Sequence, residues 1–471
     1  MRRRTAGILV LALVSSCAVG PDYRRPEVEV SDAYKEAVGW KVAEPRDEAS
    51  RGTWWEAFGD PQLNALIESI DISNQNVRLA EAQFRQAQAL VAQSRAALFP
   101  TLDANASIVR SRSPNGVIGG TTAGRIITTR SVGLTSSWEF DLWGRLHRAL
   151  ESSAAGAQAS AADLEAARLS AQAELASNYF QLRVLDAQKQ LLDDTAAAFQ
   201  KSLDLTRNRY TAGVAAKVDV VQAETQLKST QAQAVDTGVQ RAQFEHAIAV
   251  LIGKPPSEFS IAPAPLTMAM PRIPLGLPSE LLERRPDVSA AERRAAAANA
   301  QIGVAKAAYF PSLTLSASGG YRSGEAASLF AMPSQFWSIG PAIAQSIFDA
   351  GLRRARTEQA IAAYDGTVAQ YRQTVLAGFQ EVEDNLAALR ILEEEAKVQE
   401  EAVRAARDTV TLTLNQYKAG TVSYLNVAVV QTAQLNNERT AVSILGRRLV
   451  AAATLVKALG GGWDASRLAE E

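Results

Sequence analysis

One cysteine and two histidines in 471 residues (Cys17, His147 and His246) leave almost no material for a zinc site, a Cys/His nucleophile or a Ser/His/Asp triad. Aromatic residues are scarce at 6%, whereas alanine occurs 86 times, so helices can pack closely but a thick globular core cannot be filled. Neither charge sign dominates: 49 Lys and Arg face 50 Asp and Glu, a formal charge of -1, which argues against a large basic footprint for nucleic acid. The glycine-rich stretch Gly116 to Gly124 lacks the Gly-Lys-Ser/Thr of a phosphate loop. An enzyme is the weakest of the functional classes.

A long apolar run is also missing, since Ile8 to Val14 is too short to span a bilayer permanently. Following Arg2, Arg3 and Arg4, it reads as a cleaved signal peptide, residues 1–16. The segment ends Val14-Ser15-Ser16-Cys17 and resembles the bacterial lipobox, in which the cysteine becomes the lipidated N-terminus. That resemblance implies a covalent diacylglycerol and fatty acyl chain on Cys17 and no other cofactor. Ala18 rather than aspartate follows, which by the same resemblance favours sorting to the outer membrane. A free cysteine that happens to follow a signal peptide is the alternative. The mature chain would carry 46 basic against 50 acidic residues, and with its sole thiol acylated it could form no internal disulfide.

The rest of the chain is written twice. Ala97-Leu98-Phe99-Pro100-Thr101-Leu102 recurs 211 residues on as Ala308-Tyr309-Phe310-Pro311-Ser312-Leu313, and Asn76-Val77 with Ala80-Glu81 recurs as Asp287-Val288 with Ala291-Glu292. Phe140-Asp141 returns as Phe348-Asp349. Asn208 to Gly213 returns as Asn415 to Gly420, and Leu251-Ile252-Gly253 as Ala458-Leu459-Gly460, now 207 residues on. The shrinking offset means that loops differ while elements correspond.

Each unit changes hydrophobic period in the same order. A helix over residues 74–98 is followed by Leu102, Ala104, Ala106 and Ile108 alternating with polar residues, a strand with one apolar face. Val132, Leu134, Trp138 and Phe140 form a second such stripe; Leu313, Leu315, Ala317 and Tyr321, then Trp337, Ile339, Ile343 and Ile347, repeat the pair. Pro341 predicts a local irregularity in the last strand. From Arg145 to Tyr210 there is no proline, and heptad-spaced Leu182, Lys189, Ala196, Leu203 and Tyr210, with Leu185, Leu192, Phe199 and Thr206 three further on, predict a helix on the order of 100 Å long. Val382, Leu389, Ala396, Val403, Val410 and Tyr417 repeat the stripe. Turns follow at Tyr210 to Asp219 and Tyr417 to Asn426, with Gly213 and Gly420 where a helix end takes left-handed geometry. Residues 253 to 286 hold eight of the 17 prolines and read as a connector.

Four amphipathic strands cannot close a barrel, and open sheet edges are not tolerated in lipid. Either the hairpins stay in water or several copies pool their strands. At this point the sequence resembles the TolC-like outer-membrane efflux channels, in particular the lipoprotein branch that works with resistance-nodulation-division (RND) transporters. The resemblance rests on Cys17 to Pro26, Asp60-Pro61-Gln62-Leu63, Arg285 to Glu292, Ile302-Gly303, Phe310-Pro311, and Phe348-Asp349 with Gly351, and covers Cys17 to about Gly460.

It implies a mainly α protein with membrane β: a homotrimer whose four strands per chain make a twelve-stranded barrel, continued by an α-helical periplasmic tunnel. The implied division is a lipid-anchored segment 17–60, a first repeat 61–253 (strands near 101–112 and 126–141, hairpin 145–252), an equatorial connector 254–285, a second repeat 286–460 (strands near 312–322 and 335–349, hairpin 351–459) and a tail 461–471. The implied function is a passive conduit in the bacterial outer membrane, with outer-membrane lipid, a periplasmic adaptor (membrane fusion protein) and an inner-membrane RND transporter as partners. The aperture and adaptor-contact residues are then Tyr210, Gly213, Asp219, Tyr417, Gly420 and Asn426. Related channels narrow the aperture with a tyrosine, an arginine and aspartates; here Asn426 and Val422 replace an aspartate and an arginine, implying a constriction less dependent on charge. A periplasmic lipid-anchored coiled-coil or adaptor protein is the alternative, although adaptors carry one hairpin and no whole-chain duplication.

Overall fold

The computed structural model describes residues 18–28, 33–36, 53–112, 126–268, 270–271 and 284–461. A 3-10 turn (Trp54–Phe58) leads to α1 (Pro61–Ser73) and α2 (Gln75–Ala96), then β1 (Thr101–Arg112), β2 (Ile126–Phe140), α3 (Arg145–Thr211) and α4 (Lys217–Leu251). After the connector come α5 (Pro286–Ala307), β3 (Ser312–Ser323), β4 (Gln335–Ala344), α6 (Leu352–Ala419) and α7 (Tyr424–Ala458). Helix, two strands, long helix and returning helix thus follow one another in both halves. At 67 and 68 residues, α3 and α6 are each about 100 Å long. Among the described residues no helix is long and apolar enough to cross a membrane.

The two halves close on themselves by matched contacts. Asn74 caps α2 by accepting from Asn76 and Val77 N–H, and its amide donates to the Leu251 carbonyl at the end of α4 (2.7 Å). Arg285, at the corresponding place before α5, donates to the Ala458 carbonyl at the end of α7 (3.2 Å). Just beyond, Gly253 and Gly460 both have left-handed backbones, and a Cβ on either would fall 2.2 and 2.1 Å from the carbonyl oxygens of Ser73 and Arg284. No other residue type fits there without moving the neighbouring chain.

The four strands form one antiparallel sheet in the order β1-β2-β3-β4, leaving β1 and β4 as open edges. Its register runs unbroken through Leu315 and Pro341, against the irregularity expected there. An edge strand has one unpaired side, which accommodates the missing proline donor. The strand expected to reach residue 349 ends at Ala344. Asp349 instead accepts from the N–H groups of Gly351 and Arg353 and from the Arg353 guanidinium, and with Ala350 and Gly351 at positive φ it starts α6. Asp141 accepts from the His147 N–H (2.8 Å) in the first turn of α3, so the repeated Phe-Asp pair marks the helix starts.

The largest core lies midway along the helices. Trp54, Trp55, Phe58, Leu63, Ile67 and Ile70 pack there on Tyr179, Phe180 and Leu182 of α3 and on residues of α6 and α7. Each such side chain contributes about 1.5–3 kcal/mol. Above this core the alanine face of α5 (Ala290, Ala291, Ala295, Ala300) lies between α3 and α6. Segment 18–28 threads the same layer: Val19 N–H donates to Trp143 O, Asp22 pairs with Arg148 (2.8 Å), a Cβ on Gly20 would fall 2.5 Å from Gly303 Cα, and one on Gly303 would fall 2.9 Å from Val19 O. The connector is held by buried Asp186, which accepts from Arg183, Arg241 and the Ala264 N–H.

Candidate functional site

Two regions carry functional geometry, the sheet and the hairpin tips at the far end of the helices. In the sheet, Leu102, Ile108, Leu134, Trp337, Ile339 and Ile343 share one face and are exposed, an apolar surface that no part of the chain covers among the described residues. The opposite face carries Ser, Thr and Asn, joined across strands by Ser107–Ser131 and Ser318–Ser338 hydrogen bonds (2.9 Å each). Trp138 donates to Leu98 O and Trp143 to Pro311 O at the helical end, and Trp143 stacks on Phe310. Tyr321, Trp337 and Phe330 lie toward the other end.

At the first tip, Gly213 is left-handed (φ 74°), and its N–H donates to Tyr210 O. The Asp219 carboxylate accepts from the Ala216 N–H (3.2 Å), half of a capping box at the start of α4. At the second tip, Gly420 is left-handed (φ 80°) and donates to Tyr417 O, while Asn426, at the place equivalent to Asp219, is exposed. The six predicted tip residues therefore share one end of the molecule. They do not form one contact network.

Tyr417 is 3% exposed and Tyr210 44%. The Tyr417 hydroxyl lies 3.0 Å from Thr206 Oγ1, and its ring packs edge-on to Tyr424 (5.8 Å) within a cluster that includes Phe199, Leu203, Leu227 and Val427. Arg209 stands over the Tyr417 ring (4.8 Å) and donates to the carbonyls of Tyr417 (2.8 Å) and Lys418 (3.2 Å). It places a cation at the negative end of α6 while stacking on an aromatic face. Asp219 is engaged with its own turn and not with Tyr417. Burial pushes the Tyr424 hydroxyl up to about 12, helped by the neighbouring Tyr417.

Sequence reasoning missed Arg209 and Thr206 as tip residues. A basic residue in the last turn of a long helix was the available signal for Arg209; Thr206 ends the heptad-spaced stripe Leu185, Leu192 and Phe199, but its partner lies 211 residues away. Cys17 lies outside the described residues, although Ala18 beside it rests against Gly144 at the foot of the sheet.

The family model for outer membrane efflux proteins matches residues 66–254 and 277–461, one segment in each half. The chain belongs to this family. It is 32% identical to the solvent efflux pump outer membrane protein SrpC of Pseudomonas putida, over 99% of this chain and 100% of that protein. Its fold matches the outer-membrane channel OprN (TM-score 0.89, 32% identity, 95% of this chain and 100% of that one). It also matches the open-state MtrE channel of Neisseria gonorrhoeae (0.84, 31%, 95% and 98%). The protein is thus an outer-membrane efflux channel, and the coiled-coil or adaptor alternative finds no support among these relatives. The family is one of channels and not of enzymes.

Proposed function

We propose that three copies of this channel pool their sheets into a twelve-stranded barrel, and that the barrel opens into a helical tunnel. The observation that carries this is the unfinished sheet: four strands with two open edges and one exposed apolar face, continuous with helices about 100 Å long. Lipid does not tolerate those edges, so β4 of one copy would pair with β1 of the next. The helices are unfinished in the same sense. At the tip end the packing order is α4, α3, α7, α6, leaving the outer faces of α4 (Val218, Val221, Val235, Val239) and α6 (Val398, Leu412) exposed and available to each other across copies.

In this reading the apolar face meets lipid and the Ser/Thr face lines the lumen. The pore is a passive conduit that receives its cargo from an inner-membrane RND transporter through a periplasmic adaptor. The hairpin tips, with Tyr210, Gly213, Asp219, Tyr417, Gly420 and Asn426, form the aperture and the adaptor contact. Cys17 carries diacylglycerol and a fatty acyl chain. The position of Ala18 at the foot of the sheet supports this, because it would set those chains at the inner leaflet.

Within each copy, Arg209 and Tyr417 hold the two hairpins together at the tip. The equivalent seam between copies would set Tyr210 against Thr413 and Gln416 of a neighbour, with no cation in Arg209's place, so the aperture would open between copies. Native mass in mild detergent tests the assembly. A mass of three chains is expected, and a monomer would remove the barrel. Arg209→Ala is then expected to raise the conductance of the closed channel in a planar bilayer; unchanged conductance would sink the latch.

A further inference from the structure

We infer that the outer rim of the sheet is a binding surface for the phosphate groups of outer-leaflet glycolipid, built by Arg110 and Arg112 with Arg130 beside them. The inference rests on the sheet being the membrane-spanning part of the channel, with its helices on the periplasmic side.

Strand alternation puts Leu102, Ala104, Ala106, Ile108, Arg110 and Arg112 on one face of β1. The register sets Ala106 beside Val132, which pairs with Tyr321, and Ile108 beside Arg130. The apolar stripe therefore runs up from the helical end to the level of Tyr321 and Ile108, and beyond it the face is mixed, with Arg130, Arg110 and Arg112 beside Thr128 and Ile126. Along the strands Arg130, Arg110 and Arg112 lie roughly 7, 13 and 20 Å past that aromatic level. With strands tilted about 35–45° these are heights of roughly 5, 10 and 15 Å beyond the girdle that marks the hydrocarbon edge, so Arg130 lies at the headgroups while Arg110 and Arg112 stand outside them and reach back along their flexible side chains.

Charge on the four strands is segregated. Their two carboxylates, Asp103 and Glu139, lie on the polar face near the helical end, and Arg322 lies on that face over the Phe336 ring (4.8 Å). The apolar face bears no carboxylate on any of the four strands, so nothing there neutralises its arginines. Arg130 is tied to the Gly324 carbonyl (2.6 Å), while Arg110 and Arg112 are exposed and make no ion pair among the described residues. Two arginines on alternate residues of one strand face, about 7 Å apart along the backbone, present donor forks that suit phosphate oxygens at a partly dehydrated boundary. A glycolipid with phosphates next to its acyl chains places them at this height.

The test compares the wild-type channel with Arg110→Gln/Arg112→Gln and with Arg322→Gln on the other face. Each is extracted in mild detergent, titrated with diphosphorylated or dephosphorylated lipid A, and read by native mass spectrometry. The wild type and Arg322→Gln are expected to retain the phosphorylated lipid preferentially, and the double glutamine variant to bind it about tenfold more weakly. Arg110→Lys/Arg112→Lys is expected to fall between, because it keeps the charge and loses the fork. Equal retention by the wild type and the double glutamine variant, or by the two lipids, overturns the inference. Bilayer conductance separates the two levels: a wild type that forms no conducting channel removes the membrane reading itself, whereas conducting variants with unchanged lipid retention remove this surface alone.

Discussion

Tyr210 and Tyr417 occupy the same place in a duplicated chain, one turn before a left-handed glycine, yet Tyr417 is buried and Tyr210 exposed. The difference lies in their neighbours. Helix α3 packs against both α4 and α7, so the second hairpin leans on the first and Tyr417 is enclosed by Phe199, Leu203 and Tyr424. The outer face of α4 has no such partner among the described residues, and Val214, Val218, Val221 and Tyr210 are all exposed. Repeat position decides which element forms; the neighbouring helices within the chain decide what is buried.

The largest expected effect tests whether the halves are interchangeable at their closures. Gly253→Ala and Gly460→Ala should each destabilise the fold by on the order of 3 kcal/mol, since a left-handed alanine is strained and its Cβ meets a carbonyl in both places. Thermal melting of the detergent-extracted protein checks this, and a marked inequality between the two would break the equivalence.

The tips come next. Tyr417→Ala should cost about 3 kcal/mol through the cavity it leaves, and Tyr210→Ala about 0.5 kcal/mol or less in the isolated chain. Equal losses in a single-chain unfolding assay would show that the contrast between the tips has no energetic weight.

Alkaline titration sharpens the same contrast. The Tyr424 hydroxyl is buried without a hydrogen-bond partner among the described residues, so its neutral form is favoured in the fold and its pKa is pushed from 10.0 up to about 12. A group raised on folding contributes stability that is full below the unfolded value and lost as pH climbs through the folded one. The second tip should therefore loosen between about pH 10 and 12, followed by hydrogen exchange at α7, and Tyr424→Phe should remove that dependence.

The smallest effect concerns helix caps. Asn426→Asp would let the second tip copy the bond that the Ala216 N–H donates to Asp219, with an expected gain of about 0.5 kcal/mol in melting. In the assembled channel it should also increase cation selectivity, measured as a reversal potential.

The two long helices, the paired strand stripes and the turns at Gly213 and Gly420 were legible because each rests on local periodicity or a backbone demand. The last strand was read too long: Ile347 continues its alternation, whereas Asp349 draws the backbone into a helix cap. Pro341 misled in the other direction, since sequence does not say that β4 is an edge. Among the tip residues, Tyr417, Asp219 and the two glycines were visible through the repeat. Arg209 was not, because its partners lie 208 and 209 residues away.

By itself the sequence determined the duplication, the length of the helices, the apolar stripe on each strand and the family, all of which depend on residues near one another or on ordered motifs. Only the tertiary structure decided which of two equivalent tyrosines is buried, where Arg209 reaches, and that Asn74 and Arg285 close corresponding ends of the two halves. Those outcomes depend on which helices become neighbours, and packing between elements far apart in the chain leaves no period in the sequence to read.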